Sequence, residues 1–555
     1  MGITAATTGS ENRRRAHVAL PERVDVAVIG SGLGGLVAAA RLAQEGRSVA
    51  VFEGHYTAGG CATQFTRGPK RARWAFDVGL HYIGDCAPGG TIPRILDELG
   101  VSVDFAELDP HGFDTLVFPD FRFRIPASLD LYRERLVEMF PRERRGIDGY
   151  VKLVQAVMNL SRMMEKSEGR RPSAWEMAKV ALDGMRVARW QNATIGEVLR
   201  YYVTDPKLAA IMLGQSGDYG VPPSRASALL HLGLAGHYFR GAYYPKGGGQ
   251  VIADRIAARL ESLGGTVHLR TPVEKIVVEG GRVTGVRLAA KAGENARTVR
   301  ANVVISNADL KRTFAELVGP EHLSRDVLAK NERWEMAAAL FMTVVGLRGD
   351  GRDLGMTSSN IWQFDHYDGD GFYAADRGEG PIGIAGCYVT SASLKDPENA
   401  LHHAPAGHTG LEIMAIVPHD PKRWGIEDGA ASLAWGYKHG SAYLERKAEL
   451  EENLIARLEA IYPGAKERIV FRESATPMTH RRFTGATDGT GYGLAATPEQ
   501  FMKKRPGYRG PLPGLYLTGA STRAGHGIVG AMMGGRAAAM RVAKDLGVGV
   551  ELRDG

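Results

Sequence analysis

Gly30, Gly32 and Gly35, followed by Glu53 eighteen residues after the last of them, have the types and spacing that hold a dinucleotide. Glycine at 30 permits a tight turn, glycine at 32 lets backbone N–H groups approach a pyrophosphate, and glycine at 35 lets a helix lie close on a strand. The Glu53 carboxylate can accept hydrogen bonds from ribose hydroxyls. Those roles need a strand, a turn and a helix in that order, and the flanking sequence supplies them. Val24, Val26, Val28 and Ile29 form a β-branched apolar run that reads as a buried parallel strand. Leu36 to Gln44 is an alanine- and leucine-rich helix that stops at Gly46, and its N-terminus faces the phosphates. Ser48 to Phe52 is a second strand ending in Glu53. Further on, Gly59 and Gly60 mark another close approach of backbone to something bulky.

The chain of 555 residues is long enough for two or three domains with proper cores. Its 44% hydrophobic and 24% charged residues suit a soluble globular protein, and its 71 glycines exceed the usual share of roughly 7%. The net charge of +7 is spread over arginine-rich surfaces, and no nucleic-acid module accompanies it. Cys61, Cys86 and Cys387 are odd in number and lack metal-ligand spacing, which implies a reduced, cytoplasmic protein without a bound metal. The first twenty residues, with Arg13, Arg14 and Arg15, are expected to be a disordered tail rather than a signal peptide. No run of 18 or more apolar residues exists to span a membrane.

From Leu129 to about Gly236 the texture is helical, with segments around 132–140, 147–166, 174–190 and 195–202. The 174–190 segment carries Trp175, Met177, Leu182, Met185 and Trp190 among Lys179, Arg186 and Arg189, a composition able to lie on a membrane surface at the inner face of the cell membrane. After YYPKGGG, a helix over 250–263 is stopped by Gly264 and Gly265. A β meander is expected from 267–269, 273–279 and 282–288, with Gly280 and Gly281 as hairpin turn. A buried strand over 298–305 resumes the nucleotide-domain texture, so that domain is discontinuous. Strands over 339–345, 382–389 and 411–417 and a helix over 441–462 belong to a substrate domain. The C-terminal GLYLTGASTRAGHGIVGAMMGG reads as a strand, a glycine-rich turn and a long helix from about Val529.

In order, GSGLGGL, Glu53, AGGCATQF, FDVGLHYIG, YYPKGGG, VISNAD and GLYLTGASTRAGHGIVGAMMGG resemble the phytoene desaturase, carotenoid isomerase and retinol saturase family of FAD-dependent enzymes. The stretch TPMTHRRFTGATDGTGYGLAATPEQF looks especially like the saturase and isomerase side. The resemblance implies an α/β fold: a discontinuous Rossmann-like FAD-binding domain of the glutathione reductase type with a mixed α+β substrate domain. The division it suggests is 22–110, 241–330 and 471–550 for the FAD domain, with 111–240 and 331–470 for the substrate domain. It also implies FAD as cofactor and a long apolar polyene or lipid substrate, a carotenoid, retinoid or other isoprenoid taken from a membrane.

Carried over by position, Gly30, Gly32 and Gly35 face the pyrophosphate, Glu53 the adenosine ribose, and Gly59, Gly60 and Cys61 line the cofactor. Val273 meets the adenine side, Gly519 packs beneath the pyrophosphate or ribityl chain, and Gly527, Ile528 and Val529 form a helix N-terminus that favours the anionic edge of reduced flavin. His81, Tyr82 and His526 fall near the isoalloxazine and are the candidates for proton transfer to or from the polyene. Two positions depart from related flavoproteins: Cys61 stands where Arg follows the GG pair, and Ala520 stands where an acid follows the GLYLTG glycine. There is one dinucleotide fingerprint only, so the external electron donor or acceptor cannot be read. Two alternatives remain, an amine oxidase-like enzyme and a non-catalytic flavin-bound lipid-binding protein.

Overall fold

Four β-branched residues in a run too short for a helix favour an extended segment buried on both faces. In the computed structural model, which describes residues 18–69, 72–166, 173–290, 295–376, 382–426 and 435–547, that segment is the strand Arg23–Ile29. Arg13, Arg14 and Arg15 lie outside the described residues. The strand sits in a parallel sheet between Val49–Phe52 and Arg297–Ser306. Leu515–Leu517 extends the sheet beyond Arg297–Ser306, also in parallel.

The stretch expected as the first strand of the meander is something else. Thr266–His268 pairs in parallel with Val49–Phe52 at the sheet edge. The helix Gln250–Ser262 packs against Leu33–Gln44, and the turn at Gly264 and Gly265 returns the chain to that edge. The meander consists of Val273–Glu279 and Arg282–Leu288, joined through Gly280 and Gly281 and paired antiparallel onto Arg297–Ser306. The alternation of side chains then separates two cores. Val26, Val28, Val49 and Val51 face the helices, while Ala27, Ile29, Ala50 and Phe52 face the meander.

Glycines set how closely the helices approach. A Cβ at Gly35 would stand 2.3 Å from the Gly30 carbonyl oxygen, and one at Gly535 would stand 2.3 Å from that of Gly34. The first helix therefore lies on its own strand and against the C-terminal helix Gly527–Asp545. No residue larger than glycine fits either contact without moving backbone.

A second seven-stranded sheet runs in the order Ile469–Ala475, Ala339–Arg348, His408–Val417, Gly386–Thr390, Asn360–Phe364, Asp114–Val117 and Arg122–Ile125. The boundary read from sequence at 470/471 thus falls inside one of its strands, and the two strands Asp114–Val117 and Arg122–Ile125 come from the apolar stretch before the helical texture begins at Leu129. One face buries Phe341, Val345, Val389, Ile413 and Val417 against the helix Ser441–Ile461. The opposite face turns Met342, Trp362, Tyr388, Met414 and Ile416 toward a cavity. The helices Arg144–Lys166, Ala181–Ala188 and Ala228–Tyr238 close the far side. The segment expected as one helix over 174–190 breaks at Val180, where φ is −112° and ψ 14°, into Ala174–Lys179 and Ala181–Ala188.

Candidate active site

A single cavity of about 2300 Å³ runs from the glycine turn of the first sheet to the apolar face of the second. At the first end, Gly30, Gly32, Glu53, Gly59, Gly60, Cys61, Val273 and Gly519 all lie on its wall. Gly35 does not; its position is fixed by helix-on-strand packing, which corrects the expectation that it faces a pyrophosphate. Glu53 ends its strand and accepts from Ser31 N–H at 2.8 Å, Ser31 Oγ at 2.6 Å and His55 N–H at 2.8 Å. Gly59 donates to the Ser31 carbonyl at 3.0 Å, tying the second glycine pair beside the first.

At the other end, the helix Gly527–Asp545 begins on the cavity wall with Gly527, Ile528 and Val529. Gly527 has φ +75°, and a Cβ there would meet nothing within 4 Å. The helices starting at Leu33 and Gly527 both lack a side-chain cap at their N-termini. Their free N–H groups and dipoles border the same cavity, an arrangement that suits an anionic dinucleotide. Among the described residues, the cavity-lining polar atoms buried without a hydrogen-bond partner include His81 Nε2, Thr518 Oγ1 and His526 Nδ1. Orphans of this kind are costly in an apolar interior and suit a bound polar group. The residues present therefore fit FAD.

Asn307, in the VISNAD segment, was given no role by sequence reasoning. Its side chain underlies Gly32, Gly34, Gly35 and Gly519, so one amide sets the floor of the turn. Arg505 was also missed. It is buried and donates to the carbonyls of Gln500 at 2.8 Å and Ala520 at 2.7 Å, and to that of Leu494, which holds the Ala520–Ser521 turn where the customary acid is absent.

Beyond the cradle the cavity becomes an apolar corridor. Val157, Leu160, Ser161 and Met164 line it from one helix, and Leu230, Gly233, Leu234 and His237 from another. Both sets follow i, i+3, i+4, i+7 spacing, so each presents one helix face. Aromatic rings crowd the inner end. Tyr82 stacks on Tyr238 at 4.6 Å, and Tyr388 lies 4.5 Å from Trp362.

His81, Tyr82 and His526 all reach this cavity. Burial, then the charge of Lys395, lowers the His81 pKa to about 3; burial, then Arg505, lowers that of His526 to about 3. Neither imidazole carries an acid proton near neutral pH. Burial holds the Tyr82 hydroxyl well above its ordinary range. Its oxygen lies 2.8 Å from Asp218 Oδ2 and 3.1 Å from Asp114 Oδ2, two acids that sequence reasoning passed over.

Asp77, His81 and Glu412 bring potential ligand atoms within 4.8 Å of one another. The buried Lys395 ammonium interacts with both carboxyls and supplies positive charge there. Asp77 is also occupied, accepting from Gly249 N–H at 3.0 Å and from the Tyr244 hydroxyl.

A family model for flavin containing amine oxidoreductases matches residues 33–345. Over 528 residues the chain is 27% identical to all-trans-retinol 13,14-reductase of Danio rerio, covering 90% of this chain and 83% of that one. It is 26% identical over 533 residues to the chloroplastic prolycopene isomerase 1 of an Oncidium hybrid cultivar, covering 95% of this chain and 85% of that one. An oxidoreductase from Methanosarcina mazei superposes with a TM-score of 0.60 at 18% identity, covering 94% of this chain and 100% of that one. That likeness is one of fold.

Proposed function

We propose a function from one premise: the chain belongs to the flavin containing amine oxidoreductase family. On our reading it is an FAD-dependent enzyme that saturates, desaturates or isomerises carbon–carbon double bonds in a long apolar polyene of the carotenoid, retinoid or related isoprenoid class. The observation that carries this reading is the continuity of the cavity, from two uncapped helix N-termini into a corridor walled by leucine, valine, methionine and aromatic side chains. A polyene offers few hydrogen-bond handles, so shape and apolar contact must select it. The relatives that reduce retinol and isomerise prolycopene support the same substrate class.

FAD supplies the exchange of an electron pair with carbon. The chain's own residues do the rest. Gly30, Gly32, Gly59, Gly60 and Gly519 bring backbone against the pyrophosphate and ribityl chain, Glu53 receives ribose hydroxyls, and Val273 and Cys61 flank the cofactor. Cys61 acts as a small neutral wall, since burial raises its thiol pKa to about 11. Gly527, Ile528 and Val529 present N–H groups to the flavin edge. His81, Tyr82 and His526 orient the polyene and exclude water.

Holoenzyme mixed anaerobically with candidate polyenes tests the reading. Conversion of the polyene, followed in the flavin spectrum and by chromatography of the extracted lipid, is the expected result. Bleaching by primary amines and not by any polyene would favour amine oxidation. Polyene retention without conversion would identify a binding protein.

The corridor also suggests how an insoluble substrate enters. Met164 lies on its wall yet is 61% exposed, and the neighbouring helices expose Trp175 (70%), Leu182 (66%) and Met185 (64%). Lys179 and Arg189 accompany them, stacked over Trp175 and Tyr201. Among the described residues no helix is long and apolar enough to cross a membrane. We therefore read this patch as a peripheral contact with an anionic membrane surface at the corridor mouth. Burying one such side chain contributes roughly 1.5–3 kcal/mol, against about 1 kcal/mol for each basic residue near the surface. Apolar insertion should then dominate. The protein is expected to float with anionic liposomes and to keep much of that binding at high salt, whereas the triple variant Trp175→Glu, Leu182→Glu, Met185→Glu stays in the soluble fraction with its flavin. Equal flotation by both would rule the patch out.

A further inference from the structure

Behind the corridor wall a chain of hydrogen bonds has one permitted direction. It starts at the buried Lys395, whose pKa burial lowers to about 8, so that below this pH it is an ammonium with only donors. Lys395 donates to the His81 carbonyl at 2.6 Å and to Thr390 Oγ1. Thr390 must then donate onward, to Asn360 Oδ1 at 2.9 Å, which fixes the amide so that Asn360 Nδ2 donates to Asp114 Oδ1 at 2.8 Å. Gln215 Nε2 donates to Asp114 Oδ2 at 2.8 Å. Both oxygens of Asp114 are thus held by N–H donors, which is the environment of a carboxylate.

Tyr82 has one hydroxyl proton and two carboxyl contacts. If both acids were ionised, one contact would set two lone pairs against each other in a dry interior. One extra proton is required among the three groups. Asp114 is held by two amide N–H donors, whereas beside Tyr82 the Asp218 carboxyl has only the Tyr238 hydroxyl as a side-chain donor, so that proton belongs to Asp218: Asp218 donates to Tyr82, and Tyr82 donates to Asp114. Of the two acids, Asp218 is the one on the cavity wall.

We propose that Asp218 is the residue that exchanges a proton with the substrate carbon, held as a neutral acid by Tyr82 and Asp114. This rests on the double-bond reading given above. In the saturating direction the proton of Asp218 forms a C–H bond at one carbon of the double bond, and the neighbouring carbon receives hydrogen with its electron pair from the reduced cofactor. The π bond is consumed, the cofactor is left oxidised, and Asp218 is left as a carboxylate that accepts from Tyr82 and takes a proton back from solvent between turnovers. In the desaturating direction the same carboxylate acts as base. Asp114 is a positioning residue.

The electrostatics agree. Burial first, and then the charge of Asp114, pushes the Asp218 carboxyl up to about 8. The groups that face it are Asp114, pushed to about 6, the phenols of Tyr82, Tyr219, Tyr238, Tyr373, Tyr388 and Tyr492, all raised by burial, and His526, lowered to about 3. Because the acid form of a group with raised pKa is lost above that value, saturating turnover should fall as pH rises through about 8.

The test is an infrared difference spectrum of flavin-loaded wild type minus flavin-loaded Asp218→Asn. A carboxylic-acid C=O band is expected at pH 6 that disappears as pH passes about 8. Asp218→Asn should keep its flavin and lose turnover by about a hundredfold or more, while Asp218→Glu restores the band and part of the rate. Absence of the band, or wild-type turnover in Asp218→Asn, overturns the proposal. A wild type that shows the band and converts no polyene sinks the double-bond reading, and with it carbon as the proton acceptor, while the acid at Asp218 stands.

Discussion

Gly32→Val is expected to fold and to purify without flavin. Gly32 sits at the N-cap of the first helix with φ −59° and ψ 161°, a conformation valine adopts easily, so the backbone has no reason to change. What changes is access. A Cβ at this position would stand 2.7 Å from Asn307 Nδ2, and two further methyl groups would occupy the approach to the helix N–H groups. Losing two charge-assisted hydrogen bonds to a pyrophosphate, at about 1.5–3 kcal/mol each, weakens binding by at least about a hundredfold. Flavin absorbance per protein should collapse while circular dichroism and Tm of the apoprotein stay near those of flavin-stripped wild type. Gly35→Ala is the counterpart. Its methyl would strike the Gly30 carbonyl, so it should lower Tm along with flavin content. If Gly32→Val retains full occupancy, the pyrophosphate does not lie on this turn.

Gly233→Phe is expected to do the reverse: to keep flavin and stability and lose turnover of long substrates. Gly233 lines the corridor, and a Cβ there would meet nothing within 4 Å. It lies within the helix Ala228–Tyr238, where glycine costs about 1 kcal/mol relative to alanine and phenylalanine costs less, so Tm should hold or rise slightly. A phenyl ring projecting into a corridor that must hold a polyene costs overpacking of roughly 1–3 kcal/mol, which at 1.36 kcal/mol per decade is about a five- to 150-fold fall in kcat/KM. The loss should deepen with substrate length. Unchanged kcat/KM across a series of polyene lengths would take this corridor off the substrate path.

Sequence reasoning and tertiary structure meet differently at the two ends of the cavity. The glycine turn, Glu53, the second glycine pair and the C-terminal helix N-terminus were all legible, and all reach the cavity wall except Gly35. Gly35 was legible as a packing residue from its place one turn into the helix, and misjudged only when it was grouped with its neighbours. The parallel edge strand Thr266–His268 was misread because a three-residue strand followed by a hairpin carries the same local pattern whichever partner it finds. His81, Tyr82 and His526 were legible as residues near the site, but their protonation was not: it depends on burial in the folded chain and on charges that folding brings up, Lys395 from 314 residues beyond His81 and Arg505 from the loop before His526.

By itself, the sequence determined the cradle. A strand, three glycines, a helix and an acid occupy about thirty consecutive residues, and the property that matters there, a backbone free of Cβ atoms beside an open helix N-terminus, is written in residue type at fixed spacing. Only the tertiary structure decided the acid. Tyr82 stands in the FDVGLHYIG motif, but Asp114, Asp218, Asn360, Thr390 and Lys395 share no motif with it, and each of these alone reads as an ordinary polar residue. Their chemistry arises when the second sheet, the loop after FDVGL and the helical segment converge to exclude water, because the direction of a hydrogen bond and the site of a shared proton depend on every partner at once.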